Sequence, residues 1–332
     1  MFEVLTSSFS VTIALLAFST IAMVQWLRKD FDAHAKHCYI GGGSQGLGLS
    51  LACLLARKGS HVTIVSRSQK KLDEALAVIE TNRQHPNQVF QALSFDLTSP
   101  EASEAALDAA ARPFEGRVPD VIFACAGGAV GGYFIKLSPE DLKASVDMNY
   151  WTAAWTARAA ATRMAKQGVE GRIVFTSSVL GLMGLPGYSA YAPMKHALRG
   201  LAECLRSELQ LYRIRVHCYF PATMYSPGFE IEQQTKPELT KILEGPDEGL
   251  TTDECAKRLV HGLEKGHCFI TSDPIGHLFR CTMRGAAPIS NYILDPIFAF
   301  AGTIALPIWR KITDRQVKQH VNQHRKEVVD KL

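Results

Sequence analysis

Tyr191 and Lys195 have residue types and a spacing that suit acid–base catalysis. On a helix, two residues four apart share a face, so the phenol and the ammonium lie close together. A free tyrosine has a pKa of about 10 and is a poor proton donor at neutral pH. A nearby ammonium stabilises the phenolate and lowers that pKa toward the working range of a general acid. The pair therefore predicts proton donation to a substrate oxygen.

Two serines, Ser177 and Ser178, end the predicted strand that precedes this pair. A serine hydroxyl is both a donor and an acceptor, so it can hold a substrate carbonyl beside the proton donor. A tyrosine and a lysine four residues apart are common on helices. The serines and an upstream glycine-rich loop make the combination much more specific, and together they predict reduction of a carbonyl group.

The glycine-rich loop lies between the first predicted strand and the first predicted helix. Its candidate cofactor-binding residues are Gly42, Ser44, Gln45, Gly46, Leu47 and Gly48. Glycines let the backbone turn tightly and approach a pyrophosphate, which binds the amide groups at the helix N-terminus. Residues 42–46 also fit the G-x-S-x-G elbow of serine hydrolases. That elbow usually follows several strands and needs a downstream acid and histidine, so the hydrolase is the weaker interpretation.

The second predicted strand ends at Arg67, and Lys71 follows one helical turn later. Sites that select NAD commonly place an acid there to bind the ribose 2′-hydroxyl, whereas an arginine accommodates a 2′-phosphate. The guanidinium can donate two hydrogen bonds to phosphate oxygens, and the lysine adds a point charge. These residues predict NADPH as the cofactor.

Short apolar runs alternate with helical periods through the middle of the chain, which predicts an α/β fold with a doubly wound parallel sheet. Strands this apolar must be covered on both faces. The predicted strands are residues 37–40, 61–66, 91–95, 118–124, 171–176 and 215–220. The predicted helices are residues 47–58, 69–82, 139–164 and 188–212.

The motifs together resemble those of the short-chain dehydrogenase/reductase family over residues 35–270. The resemblance implies that Tyr191 is the proton donor and that Lys195 lowers its pKa and binds the nicotinamide ribose. It implies that Ser178 holds the carbonyl, with Ser177 as the alternative, and that Asn149 completes the proton relay.

The same resemblance implies that Asp96 and Leu97 contact the adenine and that Thr223 contacts the carboxamide. The chain departs from the family pattern at two positions. Cys125 replaces an asparagine after the fourth strand, and Ala222 replaces a glycine after the sixth. Neither departure removes a group that the chemistry needs.

Beyond the catalytic helix, residues 221–230, 235–238 and 284–288 resemble the branch of this family that reduces long-chain 3-keto sphingoid bases, especially its fungal members. The resemblance implies an enzyme of the endoplasmic reticulum membrane that faces the cytosol. It also implies a homo-oligomer, a dimer or tetramer. The alternatives are another membrane-anchored reductase of a steroid, retinoid or acyl ketone, and a non-catalytic lipid-binding scaffold.

Both ends of the chain are strongly apolar. Residues 9–27 carry no charge and are long enough to span a bilayer, and Arg28 and Lys29 follow them. We expect an uncleaved anchor, because a cleaved signal peptide needs a positive N-terminal region and residues 1–8 carry only Glu3. A buried core helix is the alternative. Residues 289–309 are interrupted by Asp295 and Pro296 and flanked by basic residues, which favours a segment that re-enters or lies in the membrane interface. A core or oligomer-interface helix pair is the alternative.

These features divide the chain into an anchor and its flank (1–32), a catalytic domain (33–275) and a C-terminal membrane-associated segment with a charged tail (276–332). The net charge of +4 includes no dense basic block, so we expect no nucleic-acid partner. The eight cysteines form no C-x-x-C pair and predict reduced thiols. His320 and His324 lack a nearby acidic ligand pattern, so we expect a solvated helix and no metal site.

Overall fold

A computed structural model describes residue 20, residues 29–246 and residues 248–329. The predicted membrane anchor at 9–27 lies outside the described residues, apart from Thr20. The predicted catalytic domain, apart from residue 247, and most of the C-terminal segment are described.

Seven parallel strands form the central sheet, in the order β3-β2-β1-β4-β5-β6-β9. They are β1 (His37–Gly41), β2 (His61–Ser66), β3 (Phe90–Ser94), β4 (Val121–Ala124), β5 (Arg172–Thr176), β6 (Arg215–Phe220) and β9 (Phe269–Thr271). The strand order reverses next to β1, which gives a doubly wound sheet with a crevice at the carboxyl ends of β1 and β4. Two short strands, β7 (Met224–Tyr225) and β8 (Leu250–Thr251), pair beside the crevice.

Helices cover both faces of the sheet, as its apolar strands require. They are α1 (Gly46–Arg57), α2 (Gln69–Glu80), α3 (Pro100–Ala111), α4 (Pro139–Val146), α5 (Thr152–Gln167), α6 (Ala192–Glu208), α7 (Pro227–Thr235), α8 (Glu238–Glu244), α9 (Thr252–Glu264), α10 (Pro274–Thr282), α11 (Leu294–Gln319) and α12 (Val321–Glu327). The two main apolar clusters lie on opposite faces of the sheet. All four side chains of β4 are buried between them.

The predicted α/β fold is confirmed, and the predictions for β2 and β6 match the observed strands. The helix predicted at residues 139–164 is divided into α4 and α5 by a π-helical turn, Asp147–Trp151. The seventh strand, β9, was not predicted. It has three residues, too few for an apolar period to stand out from its surroundings.

The C-terminal segment packs on the catalytic domain through α10 and α11. Arg280 is fully buried and donates to both carboxylate oxygens of Asp295, at 3.0 and 2.6 Å. Pro296 lies in the first turn of α11, where a missing N–H breaks no helical hydrogen bond. The helix begins at Leu294, so the predicted interruption at Asp295 and Pro296 falls at the start of α11, and residues 289–293 precede the helix. None of the described helices is both long and apolar enough to cross a membrane.

The prediction of a solvated C-terminal tail is wrong at His320. That side chain is buried, and the ring of His324 contacts the ring of Tyr133 edge-on, with centroids 4.5 Å apart. Val328 is also buried. Since Tyr133 lies in the loop after β4, α12 packs against the carboxyl edge of the sheet.

Candidate active site

Tyr191 and Lys195 lie together at the start of α6, as their spacing predicts. The Lys195 Nζ atom is 5.3 Å from the centroid of the Tyr191 ring. The lysine is buried, and its ammonium donates to the carbonyl oxygen of Thr176 at 3.0 Å. This bond ties the lysine to the end of β5. The pair therefore has a fixed position at the carboxyl edge of the sheet.

The pKa values of the two groups move in opposite directions. Burial raises the pKa of Tyr191, the negative charge of Glu232 raises it further, and a hydrogen bond with Ser178 opposes both. Burial lowers the pKa of Lys195 to about 8. In the chain alone the pKa of Tyr191 is raised, opposite to the predicted lowering, because burial and the charge of Glu232 outweigh the hydrogen bond with Ser178. A raised pKa keeps the phenol protonated at neutral pH, as a proton donor requires.

The two serines at the end of β5 have different partners. The Ser177 hydroxyl is buried and donates to the backbone carbonyl of Lys195 at 2.8 Å. The Ser178 hydroxyl accepts from the amide of Leu180 at 3.2 Å and makes the hydrogen bond with Tyr191. Ser178 is therefore the serine that faces the proton donor, whereas Ser177 supports the first turn of α6.

Asn149 lies in the π-helical turn between α4 and α5 and is fully buried. Such turns are often found at functional sites, because they displace one residue from the regular helix. The Asn149 amide donates to the carbonyl of Gly128 at 3.0 Å, and its oxygen accepts from the amide of the same glycine at 3.1 Å. A Cβ atom at Gly127 would lie 2.8 Å from the Asn149 oxygen and 3.3 Å from Lys195 Nζ. Asn149 and Lys195 thus border the same glycine.

The glycine-rich loop leaves room for a pyrophosphate at the N-terminus of α1. Gly42 has φ = 81°, and a Cβ atom there would lie 2.6 Å from the amide nitrogen of Ala126. A Cβ atom at Gly48 would lie 2.2 Å from the carbonyl oxygen of Gly42, so neither position accepts a side chain. At Gly46 a Cβ atom would approach only Ser226, at 3.5 Å. The backbone at Gly46 is therefore accessible to the pyrophosphate of a dinucleotide.

The positions of the remaining predicted loop residues also fit a pyrophosphate-binding site. Ser44 and Gln45 precede the first turn of α1, and the Gln45 side chain makes no capping hydrogen bond to it. The amides of that turn therefore remain available to an anion. Leu47 and Gly48 are buried in the helix that the loop begins.

Arg67 and Lys71 lie where the sequence predicts a 2′-phosphate. Arg67 is exposed one residue beyond β2. The Lys71 ammonium donates to the side-chain oxygen of Gln45 at 2.9 Å. This bond links α2 to the glycine-rich loop, so the two basic side chains and the loop border one surface.

The other three predicted cofactor residues lie at the ends of β3 and β6. The Asp96 carboxylate accepts from the amide and hydroxyl of Thr98, at 3.1 and 2.8 Å, and the amide bond is the main cause of its lowered pKa. The Leu97 side chain is buried in the core. Thr223 follows β6, and its carbonyl accepts from the amide of Leu250 at 3.1 Å.

Four functional candidates were not predicted from the sequence. The Tyr188 hydroxyl oxygen is within hydrogen-bond distance of Glu232, at 2.5 Å, and of Glu244, at 2.8 Å. Lys236 pairs with both carboxylates. The acids lie on α7 and α8, more than forty residues after the tyrosine. No spacing motif signals such a group, because only the fold brings its members together.

His277, Cys281 and Asp295 could together hold a metal ion. However, the Arg280 guanidinium already occupies both Asp295 oxygens. The buried guanidinium supplies the positive charge that a metal ion would provide there. Its hydrogen bonds to Asp295 join α10 to α11. The expectation that the chain binds no metal stays a prediction.

The fold and this set of side chains define a dinucleotide-dependent oxidoreductase of Rossmann type. A model of the family described as short chain dehydrogenase matches residues 36–236. The chain belongs to the short-chain dehydrogenase/reductase family.

Its relatives include 3-ketodihydrosphingosine reductases of fungi. The chain is 39% identical over 308 residues to the reductase of Cryptococcus neoformans, which covers 92% of each chain. It is 33% identical over 313 residues to that of Aspergillus fumigatus, covering 87% of this chain and 85% of the other. The narrower resemblance noted in the sequence is thereby confirmed.

Solved structures show the same fold. A short chain dehydrogenase/reductase from Burkholderia phymatum in complex with NAD superposes with a TM-score of 0.65 at 21% identity, covering 74% of this chain and 91% of that chain. Levodione reductase also gives a TM-score of 0.65, at 22% identity, covering 72% of this chain and 96% of that chain.

Proposed function

We propose that this protein reduces 3-ketodihydrosphingosine to dihydrosphingosine, with NADPH as the reductant. The observation that carries the reaction class is the convergence of Tyr191, Ser178 and Lys195 at the carboxyl edge of the sheet. The similarity to fungal 3-ketodihydrosphingosine reductases over 92% of both chains supports the substrate.

The chemistry follows from the positions of these side chains. Ser178 holds the substrate carbonyl, and a bound NADPH supplies the hydride. The Tyr191 hydroxyl gives its proton to the carbonyl oxygen, which becomes the hydroxyl of the product. The Lys195 ammonium stabilises the phenolate that remains, and Asn149 orders the turn at Gly128 beside that ammonium.

NADPH is proposed over NADH because of the charges that follow β2. Arg67 and Lys71 are both basic, and no acid stands at the end of that strand. A guanidinium can donate two parallel hydrogen bonds to a phosphate, which NADH lacks at the ribose 2′ position.

We also propose that the protein associates with the membrane of the endoplasmic reticulum and that its catalytic domain faces the cytosol. One face of α11 supports the association, since its exposed apolar side chains recur every three or four residues. They are Ile297, Phe300, Ile304, Ile308 and Ile312. Such an apolar face suits the membrane interface. The segment 9–27 is the proposed anchor.

A homo-oligomer is the proposed assembly state, as in the family that the sequence resembles. Light scattering of the detergent-purified protein measures it directly. A monomer at all concentrations would contradict this proposal.

The test of the function is NADPH oxidation by the purified full chain given 3-ketodihydrosphingosine. We expect dihydrosphingosine to form in proportion to the NADPH consumed. Tyr191→Phe should lower kcat by about 10²- to 10⁴-fold, the usual contribution of a general acid. It should still bind NADPH, which a rise in Tm on adding the cofactor would show.

Two outcomes would contradict the proposal. Turnover of a steroid or retinoid ketone in place of the sphingoid base would change the substrate but not the reaction class. Undiminished activity of Tyr191→Phe would overturn the assigned proton donor.

A further inference from the structure

A partly buried group of charged side chains lies beside the catalytic tyrosine, and the mechanism does not use it. We call Tyr188, Glu232, Lys236 and Glu244 the acidic cluster. The Lys236 ammonium is 2.7 Å from a Glu244 oxygen and 3.3 Å from Glu232 Oε1. The Tyr188 hydroxyl oxygen is 2.5 Å from Glu232 Oε1 and 2.8 Å from Glu244 Oε1, so its one proton can be donated to either acid.

The acidic cluster carries one more negative charge than positive charges. It holds two carboxylates and one ammonium, while the phenol of Tyr188 is neutral. Burial alone would lower the pKa of Lys236, but the hydrogen bond to Glu244 and the charge of Glu232 raise it, so the lysine stays charged. A surplus negative charge at a partly desolvated site is unfavourable unless a cation pairs with it.

Glu232 is the member of the cluster that can meet a ligand. Its side chain is 18% exposed, compared with 2% for Lys236. Tyr188 and Lys236 both contact Oε1. Within the described chain, no donor contacts Oε2. A carboxylate oxygen has two acceptor sites, so Glu232 retains the capacity to bind a further donor.

The acidic cluster is also close to the reacting centre. The rings of Tyr188 and Tyr191 have centroids 6.2 Å apart, and the charge of Glu232 acts on Tyr191. Helix α7 reaches the loop after β4, where the Thr235 hydroxyl accepts from the amide of Gly131 at 3.1 Å. Glu232 therefore lies on the helix that covers the carboxyl edge of the sheet.

A 3-keto sphingoid base carries an ammonium on the carbon next to its ketone. When Tyr191 and Ser178 hold the ketone oxygen, that ammonium must lie within a few bond lengths of them. We propose that Glu232 binds the C2 ammonium of the substrate and thereby selects 2-amino ketones over plain long-chain ketones. This inference rests on the proposed function and names the residue that recognises the polar head of the substrate.

Binding of the ammonium also favours the reaction. The negative charge of Glu232 raises the pKa of Tyr191 while it stands alone. An ammonium beside Glu232 neutralises that charge, so the phenol becomes a stronger acid when the correct substrate is present.

The experiment compares two substrates in the NADPH-loaded full chain. One is 3-ketodihydrosphingosine, and the other is the same ketone with hydrogen in place of the amine. A hydrogen bond to a charged group contributes enough for the wild type to prefer the amine by about 10- to 100-fold in kcat/KM. Glu232→Gln should bring this ratio close to one. Glu230→Gln is the matched control, because Glu230 is an exposed acid on the same helix.

The outcomes separate this inference from the proposed function. Equal wild-type kcat/KM values for both ketones would refute the role of Glu232 and leave the function intact. An equal loss on both ketones in Glu232→Gln would show a structural role only. If wild type does not reduce 3-ketodihydrosphingosine, the function and the inference both fail.

A second measurement needs no variant. The product amine and the corresponding diol without the amine are compared as inhibitors of the wild type. The amine should bind about 10- to 100-fold more tightly. Equal inhibition would overturn the inference even if Glu232→Gln did not fold.

Discussion

The ammonium of Lys195 is buried between the ring of Tyr191 and the carbonyl of Thr176. Burial lowers the pKa of this ammonium, because a desolvated ammonium loses its proton more easily than one in water. The pKa of Lys195 therefore sets an upper limit to the pH range in which the site can work.

Reduction should therefore fail at alkaline pH. The pKa of Lys195 is lowered to about 8, so its ammonium is present below that pH and lost above it. We expect kcat/KM to fall about tenfold per pH unit well above pH 8. Lys195→Arg, which stays charged throughout, should lose this limb of the profile whatever its residual rate. A wild-type profile that stays flat into the alkaline range would contradict the assignment.

The proposed preference for NADPH should also depend strongly on the side chain of Arg67. Arg67→Glu should place an acid where NADH needs a partner for its 2′-hydroxyl and should repel a 2′-phosphate. The ratio of kcat/KM for NADPH over NADH should fall by about 10- to 100-fold, the contribution of charged hydrogen bonds. Lys70→Glu makes the same change of charge three residues away and should alter the ratio much less. An unchanged ratio in Arg67→Glu would show that Arg67 does not bind the 2′-phosphate.

At the scale of elements, one buried ion pair, Arg280 with Asp295, joins α10 to α11 within the C-terminal segment. Burial alone would raise the pKa of Asp295, but the hydrogen bond and charge of Arg280 lower it below its ordinary value. Both side chains are almost completely buried. Removing either side chain alone would therefore leave the other one charged and buried without its partner.

Asp295→Ala should lower the free energy of unfolding by about 3–5 kcal/mol, because it leaves the Arg280 guanidinium buried without its partner. Asp314→Ala is the control on the same helix. Its pair with Arg310 is 3.9 Å long and about half exposed, so its loss should cost about 0–1 kcal/mol. Urea denaturation measures both values. Equal effects would show that the buried pair does not hold α11 in place.

At the scale of the whole molecule, the apolar face of α11 is the proposed contact with the membrane. Phe300 on this face is 71% exposed. Exposed apolar side chains on one face of a helix favour the bilayer interface. The proposed anchor at 9–27 would add a second attachment.

Ile304→Glu combined with Ile308→Glu should reduce sedimentation of the protein with vesicles of endoplasmic reticulum lipids. Deleting residues 1–27 should weaken the association, and the combined change should remove most of what remains. Val78→Glu is the control, since Val78 is an exposed apolar residue on α2, away from α11. Sedimentation of the double variant at the wild-type level would exclude this face as the membrane contact.

The elements and the catalytic pair could be predicted because their signals are local in the chain. Apolar periods gave six of the seven strands of the central sheet and the helices α1, α2, α4, α5 and α6. The four-residue spacing gave Tyr191 and Lys195. Glycines between a strand and a helix gave the cofactor loop. Each of these patterns lies within about one element, so no knowledge of packing is needed to read it.

Tertiary structure alone decided the contacts between distant segments. It showed that Ser178 and not Ser177 faces Tyr191, because the two hydroxyls point to different neighbours. It also brought Glu232 to Tyr188, 44 residues away, and Arg280 to Asp295 across a loop. Such pairs produce no periodic pattern in a sequence. Their energies depend on burial and distance, which exist only once the chain has folded.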